Sequence, residues 1–109
     1  MSNYLRGDVV LVRYPFTDLS RAKVRPAVII NTSHPSVDVL IVPLTSKVAS
    51  LLPGEFILTD WAQAGLNVPT AVKRGIYTVQ ETLIIRRVGQ ITLDDCDRLD
   101  GSLRLWLGL

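Results

Sequence analysis

Two short stretches carry residue types suited to chemistry on a phosphate. Lys23-Val24-Arg25-Pro26 leads into the apolar run Ala27-Val28-Ile29-Ile30, and a second run, Val39-Leu40-Ile41-Val42, ends in Pro43-Leu44-Thr45-Ser46-Lys47. A guanidinium thus precedes one strand-like run, while two hydroxyls and an ammonium follow the other. If the runs pair antiparallel, those ends meet. Arginine keeps its charge at any ordinary pH, so beside hydroxyl donors and further cations it suits a phosphate that gains charge during a reaction.

Other chemistries find no residues to carry them. His34 is the only histidine and sits in a His-Pro turn, and no His or Cys pair stands at ligand spacing. The carboxylates are scattered, so neither a metal centre nor a cofactor is expected. A two-histidine acid/base mechanism is excluded by count. The glycines form no phosphate-cradling loop, and there is no Gly-x-Ser-x-Gly elbow.

Cleavage that needs neither metal nor histidine remains. RNA brings its own nucleophile, the 2′-hydroxyl, so a protein need only position and stabilise the phosphorane-like state. Arg25 can neutralise it, and Thr45 and Ser46 can donate hydrogen bonds. The products would be a 2′,3′-cyclic phosphate and a 5′-hydroxyl, and DNA, lacking the attacking group, would be inert. Lys23, Lys47 and Arg74 are candidates for guiding the RNA backbone. Arginine, with a pKa above about 12, is a poor general base at neutral pH, which leaves Asp18 and Glu81 open for that role. Plainer readings stand beside each choice: Arg25 as an exposed strand start, Thr45-Ser46 as turn residues, Arg86-Arg87 as a solvated strand end, Trp61 and Trp106 as packing.

The elements that must position these groups are short. Asp8 to Tyr14 reads as a strand apolar on both faces, stopped by Pro15, with Phe16 to Lys23 as a long polar, basic loop. Ala27 to Asn31 and Val37 to Pro43 are β-branched runs joined by the turn Thr32 to Ser36. Glu55 to Leu58, Val68 to Val72 and Ile76 to Val79 read as brief strands, and Leu83 to Val88 as a strand or an extended connection. Thr59 or Asp60 can cap a helical turn at Trp61 to Ala64, closed by Gly65. The period then changes. Leu93, Cys96, Leu99, Leu103 and Leu107 fall three or four apart, the stripe of an amphipathic helix, with Thr92 and Asp95 as a capping-box-like start and Gly108 as the stop. Gly101 in its middle costs about 1 kcal/mol relative to alanine. Many short strands followed by one helix predict a mostly β chain: a small antiparallel barrel with a C-terminal helix packed on it.

Composition sets the frame. A chain of 109 residues, 48% hydrophobic but only 6% aromatic, is expected to be one domain over residues 1–109 with a Val/Ile/Leu core. No apolar run approaches the roughly 18 residues of a membrane span, and Met1 to Arg6 lacks the apolar core of a signal peptide. One cysteine, Cys96, allows no internal disulfide and suits a reducing cytoplasm. Residues 1–90 hold ten Lys/Arg against six Asp/Glu, and residues 91–109 two against four. A basic body with an acidic end is compatible with a nucleic-acid partner.

The order of features resembles the MazF/PemK family of bacterial toxins. The resemblance runs through Gly7-Asp8-Val9-Val10-Leu11-Val12, Tyr14-Pro15-Phe16-Thr17-Asp18, Arg25-Pro26-Ala27-Val28-Ile29, Pro43-Leu44-Thr45-Ser46, Gly65-Leu66, Val88-Gly89-Gln90-Ile91 and the closing helix. It implies an SH3-like barrel with a C-terminal helix, a homodimer, and sequence-selective, metal-independent cleavage of single-stranded RNA, mRNA foremost. It implies Arg25 and Thr45 as catalytic residues, and Phe16, Thr17 and Asp18 of the first loop bordering the RNA site. It also implies a cognate antitoxin whose acidic or amphipathic tail occupies the RNA groove. The chain departs from the family pattern after Thr78-Val79, where Gln80-Glu81-Thr82-Leu83 replaces a basic segment. RNA contacts there do not carry over. The first loop is also relatively short and basic through Arg21 and Lys23. Two rivals share the fold class: a CcdB-like poison of DNA gyrase, acting through helix residues such as Trp106, and a barrel that binds RNA without cutting it.

Overall fold

A computed structural model describes residues 4–14, 23–31 and 38–109. Seven strands, a 3-10 turn and one helix follow in order: β1 Asp8–Tyr14, β2 Lys23–Ile29, β3 Asp38–Thr45, β4 Phe56–Ile57, β5 Ala71–Val72, β6 Tyr77–Gln80, the turn Glu81–Leu83, β7 Ile84–Gln90 and α1 Leu93–Leu107. Every pairing is antiparallel. The strands run β4-β5-β3-β2-β1-β7, with β6 added to β3. The expected mostly β fold with a terminal helix is therefore present, but among the described residues the sheet is open, not a hydrogen-bonded ring. Side chains bring its ends to one core instead: Phe56 of β4 lies in a cluster with Leu58, Val9, Val28, Val42, Val72, Ile91 and Leu99, and Val88 of β7 packs against it.

The central strands are apolar on both faces because both faces are covered. Val28, Val42 and Leu44 point into the cluster under α1. Their neighbours Ala27, Ile29, Val39 and Ile41 point into a second cluster with Val10, Val12, Val79 and Ile84. Side chains alternate along a strand, so a strand buried on both sides reads as a continuous apolar run.

Strand β2 starts earlier than the sequence suggests. Arg25 and Pro26 lie inside it, opposite Val12 and Leu11 of β1. The Ile30 N–H donates to the Leu40 carbonyl (3.0 Å). By the two-residue alternation of antiparallel ladders, the even-numbered residues of β2 then aim their backbone groups at β3. The N–H that Pro26 lacks would thus have faced β3, so the β1–β2 ladder passes through the proline undisturbed. The β2–β3 ladder stops instead, its last pair being Ala27 with Pro43. Pro43 does the same on the other edge of β3, where pairing with β6 stops at Ile41 with Tyr77. Beyond it β3 turns to β5, pairing Leu44 with Val72 and Thr45 with Ala71.

Helix α1 is rotated from the predicted stripe. Leu93 and Leu107 are 84% and 56% exposed. The packed line is instead Asp95, Leu99 and Ser102, flanked by Cys96, Leu103 and Trp106. Polar residues can occupy that face because each finds a partner. Asp95 accepts from the Thr59 N–H (2.7 Å) and the Thr59 hydroxyl (2.8 Å), and Ser102 donates to the Gly54 carbonyl (2.6 Å). Thr92 caps the helix by accepting from the Asp95 N–H (3.1 Å), so only half of the capping box forms; the second carboxylate serves the loop. Arg98 reaches the same carboxylate (3.2 Å) while lying 4.3 Å from the Phe56 ring centre. Asp60, not Thr59, caps the turn before Gly65, accepting from the Gln63 N–H (3.0 Å).

Candidate active site

Where β2 and β3 part, a cleft of about 600 Å³ opens. Arg25 and Thr45 both line it, with Lys23, Ser46 and Lys47, so five of the expected residues come together. The residues expected from the first loop, Phe16, Thr17 and Asp18, lie outside the described residues, as do Arg21 and His34. Arg74 does not line the cleft. Its neighbour Lys73 does, because the Lys73 N–H donates to the Pro43 carbonyl (2.9 Å) and fixes the chain at the cleft edge. Leu66, Asn67, Val68, Thr70 and Tyr77 also line it, beside Pro26, Pro43 and Leu44; of the first group the family resemblance touched only Leu66.

The electrostatics are one-signed. Among the described residues four cations, Lys23, Arg25, Lys47 and Lys73, line the cleft and no carboxylate does. Arg25 is exposed and makes no ion pair or side-chain hydrogen bond with any described residue. Cations that converge on a cleft with no ion-pair partner among the described residues favour an anion with several oxygens, such as a phosphodiester. The Thr45 hydroxyl accepts from the Lys47 N–H (3.1 Å), which orients its oxygen and leaves its proton available to a ligand.

A carboxylate shapes the cleft from behind. Glu55 accepts from the Arg74 N–H (2.8 Å) and the Leu52 N–H (2.8 Å), tying the turn before β4 to the turn after β5. The Arg74 N–H and then the Leu52 N–H hold its carboxyl below the usual carboxylate range, against a smaller opposing effect of burial, with the Lys73 charge adding to the lowering.

Glu81, a candidate base, is in the wrong place. It follows Gln80, which pairs with Asp38 at the opposite end of β3 from Thr45. Seven residues of strand separate those ends, about 23 Å at 3.3 Å per residue. No group of three or more potential metal ligands occurs among the described residues. Burial pushes the Cys96 thiol up, so it is a weak nucleophile.

The sequence pattern of PemK-like, MazF-like toxins of type II toxin–antitoxin systems matches residues 5–107. The chain belongs to this toxin family.

Solved MazF structures share its fold. The MazF of a MazE–MazF crystal from Deinococcus radiodurans superposes with a TM-score of 0.80 at 15% identity, over 99% of both chains. Toxin MazF-mt6 of Mycobacterium tuberculosis gives 0.77 at 20% identity, over 94% of this chain and 97% of its own. A mycobacterial endoribonuclease in complex with its cognate antitoxin gives 0.78 at 18% identity, over 97% of this chain and 96% of that one. No curated protein matches by sequence. The Arg-Pro and Thr-Ser steps thus sit in a PemK/MazF-type toxin as the two edges of its cationic cleft. Among the described residues no helix is long and apolar enough to cross a membrane.

Proposed function

We propose that this toxin is an endoribonuclease cutting single-stranded RNA at short motifs, without a metal. The observation that carries the reading is the meeting of Arg25 and Thr45 in a cleft lined by four cations and no described carboxylate. The 2′-oxygen attacks phosphorus and gives up its proton; the bond to the 5′-oxygen breaks and that oxygen takes a proton. Arg25 stabilises the added negative charge, and the Thr45 hydroxyl donates to a non-bridging oxygen. Lys23, Lys47 and Lys73 hold the flanking phosphates. Ser46 adds a second hydroxyl, and Phe16, Thr17 and Asp18 border the RNA from the first loop.

The active form is a homodimer in the cytoplasm. A cognate antitoxin silences it by laying an acidic segment into the same cleft, because the charge that draws RNA also draws carboxylates. A gyrase-poison role through Trp106 is disfavoured by that residue's position. Its indole N–H already donates to the Pro53 carbonyl (3.0 Å), and its ring fills the space a side chain at Gly54 would need.

The test is incubation of a long unstructured RNA with purified toxin in EDTA, with Arg25→Ala as control. Discrete fragments with 5′-hydroxyl ends, absent in the variant, are expected. Intact RNA from folded, antitoxin-free protein would overturn the reading.

A further inference from the structure

The cleft lining holds one segment without charge. Leu66–Thr70 contributes Asn67, which is exposed and makes no side-chain hydrogen bond with any described residue. The segment around it is anchored. The Leu66 N–H donates to the Trp61 carbonyl (3.0 Å), and the Thr70 hydroxyl donates to the Val68 carbonyl (2.9 Å). Gly65 adopts φ +83°, and any side chain there would strike the Val88 carbonyl. A carboxamide with no partner among the described residues, carried on an anchored backbone, can hydrogen-bond a ligand in the cleft.

A carboxamide presents a donor and an acceptor side by side. A nucleobase edge can use both groups, whereas a phosphate, which only accepts, can use the donor alone. Tyr77, 41% exposed, lines the same cleft and brings an aromatic ring of the kind on which bases stack. Asn67 and Arg25 line one cleft of about 600 Å³, so a base met by Asn67 shares that cleft with the phosphate met by Arg25.

We propose that Asn67 is a specificity-determining residue that reads the base next to the scissile phosphate through a paired hydrogen bond, with Tyr77 as its stacking surface. The inference rests on the ribonuclease reading above. Cleavage of an RNA pool randomised around the cut, with sequencing of the 5′-hydroxyl fragments, tests it. Asn67→Ala relaxes the preference at one position of the motif by roughly five- to hundredfold, the discrimination typical of a paired base contact, and leaves the other positions unchanged. Lys73→Met, run alongside, slows all sequences alike and leaves the motif intact. An unchanged motif in Asn67→Ala, a uniform loss of rate, or a wild-type enzyme without base preference beside the cut overturns the inference while the ribonuclease reading stands. Wild-type protein that leaves every RNA intact removes that reading, and this one with it.

Discussion

Arg25 and Thr45 occupy positions that would face each other directly if the β2–β3 ladder ran past its last pair, Ala27 with Pro43. Paired, their Cα atoms would stand about 5 Å apart, with no room for a substrate between them. The register aligns the two residues, and the loss of pairing at Pro26 parts them. The site is a continuation of the sheet with its hydrogen bonds withheld.

Replacing Arg25 by alanine is expected to lower cleavage by roughly 10²–10³-fold, the usual cost of removing one donor to a developing charge. Stability should change by no more than about 0.5 kcal/mol, because the side chain is exposed and has no described partner. Thr45→Val should cost a smaller factor of roughly ten or more, since it removes a hydroxyl donor to a charged group. Single-turnover rates and thermal melts check both.

Lys73 is expected to act on RNA affinity through a phosphate. Lys73→Ala should weaken binding of every sequence and flatten the dependence of log affinity on log salt by about one unit. Arg74→Ala should leave that slope nearly unchanged, since Arg74 does not line the cleft. Fluorescence anisotropy across a salt series, using RNA with a 2′-deoxy substitution at the cut, measures this.

Glu55 links acidity to the shape of the cleft. Its carboxyl lies below its ordinary value because the Arg74 and Leu52 N–H groups bind its ionised form. The stability it supplies is therefore complete at neutral pH and is lost as pH falls through the lowered folded value. Glu55→Gln should melt lower than wild type at pH 7, and the gap should narrow on acidification. Denaturation midpoints between pH 7 and pH 3 provide the check; a gap that widens in acid would refute the assignment.

Asp95 holds the helix to the β-layer. It is buried and accepts from the Thr59 N–H and hydroxyl and from Arg98. Asp95→Ala strands those donors and should cost about 2–4 kcal/mol of stability, read from urea unfolding.

Much of this was legible from sequence, and the exceptions have physical causes. The Arg25–Thr45 meeting could be read because adjacent strands of one sheet usually pair, and an antiparallel pair brings the end of one to the start of the next. The apolar stripe misses the packed helix face by part of a turn because that face is built partly on the polar residues Asp95 and Ser102. Their partners, Thr59 and Gly54, lie 36 and 48 residues away and leave no local trace. Lys73 and Arg74 cannot be told apart by type; a single backbone bond to Pro43 decides which one reaches the cleft. Sequence gives no depth along a strand and so leaves Glu81 open as a base, whereas the β3–β6 register places it at the far end. Asn67 carried no motif and became visible only when the cleft lining was known.

Small sheets usually acquire a cavity by addition, through a bulge, a longer loop or an extra residue. This toxin acquires one by subtraction: two imino acids, Pro26 and Pro43, each omit a single hydrogen that the neighbouring strand would have bound. The vacancy needs no added length, so a compact chain keeps both faces of its central strands filled while still holding a substrate-sized opening between them.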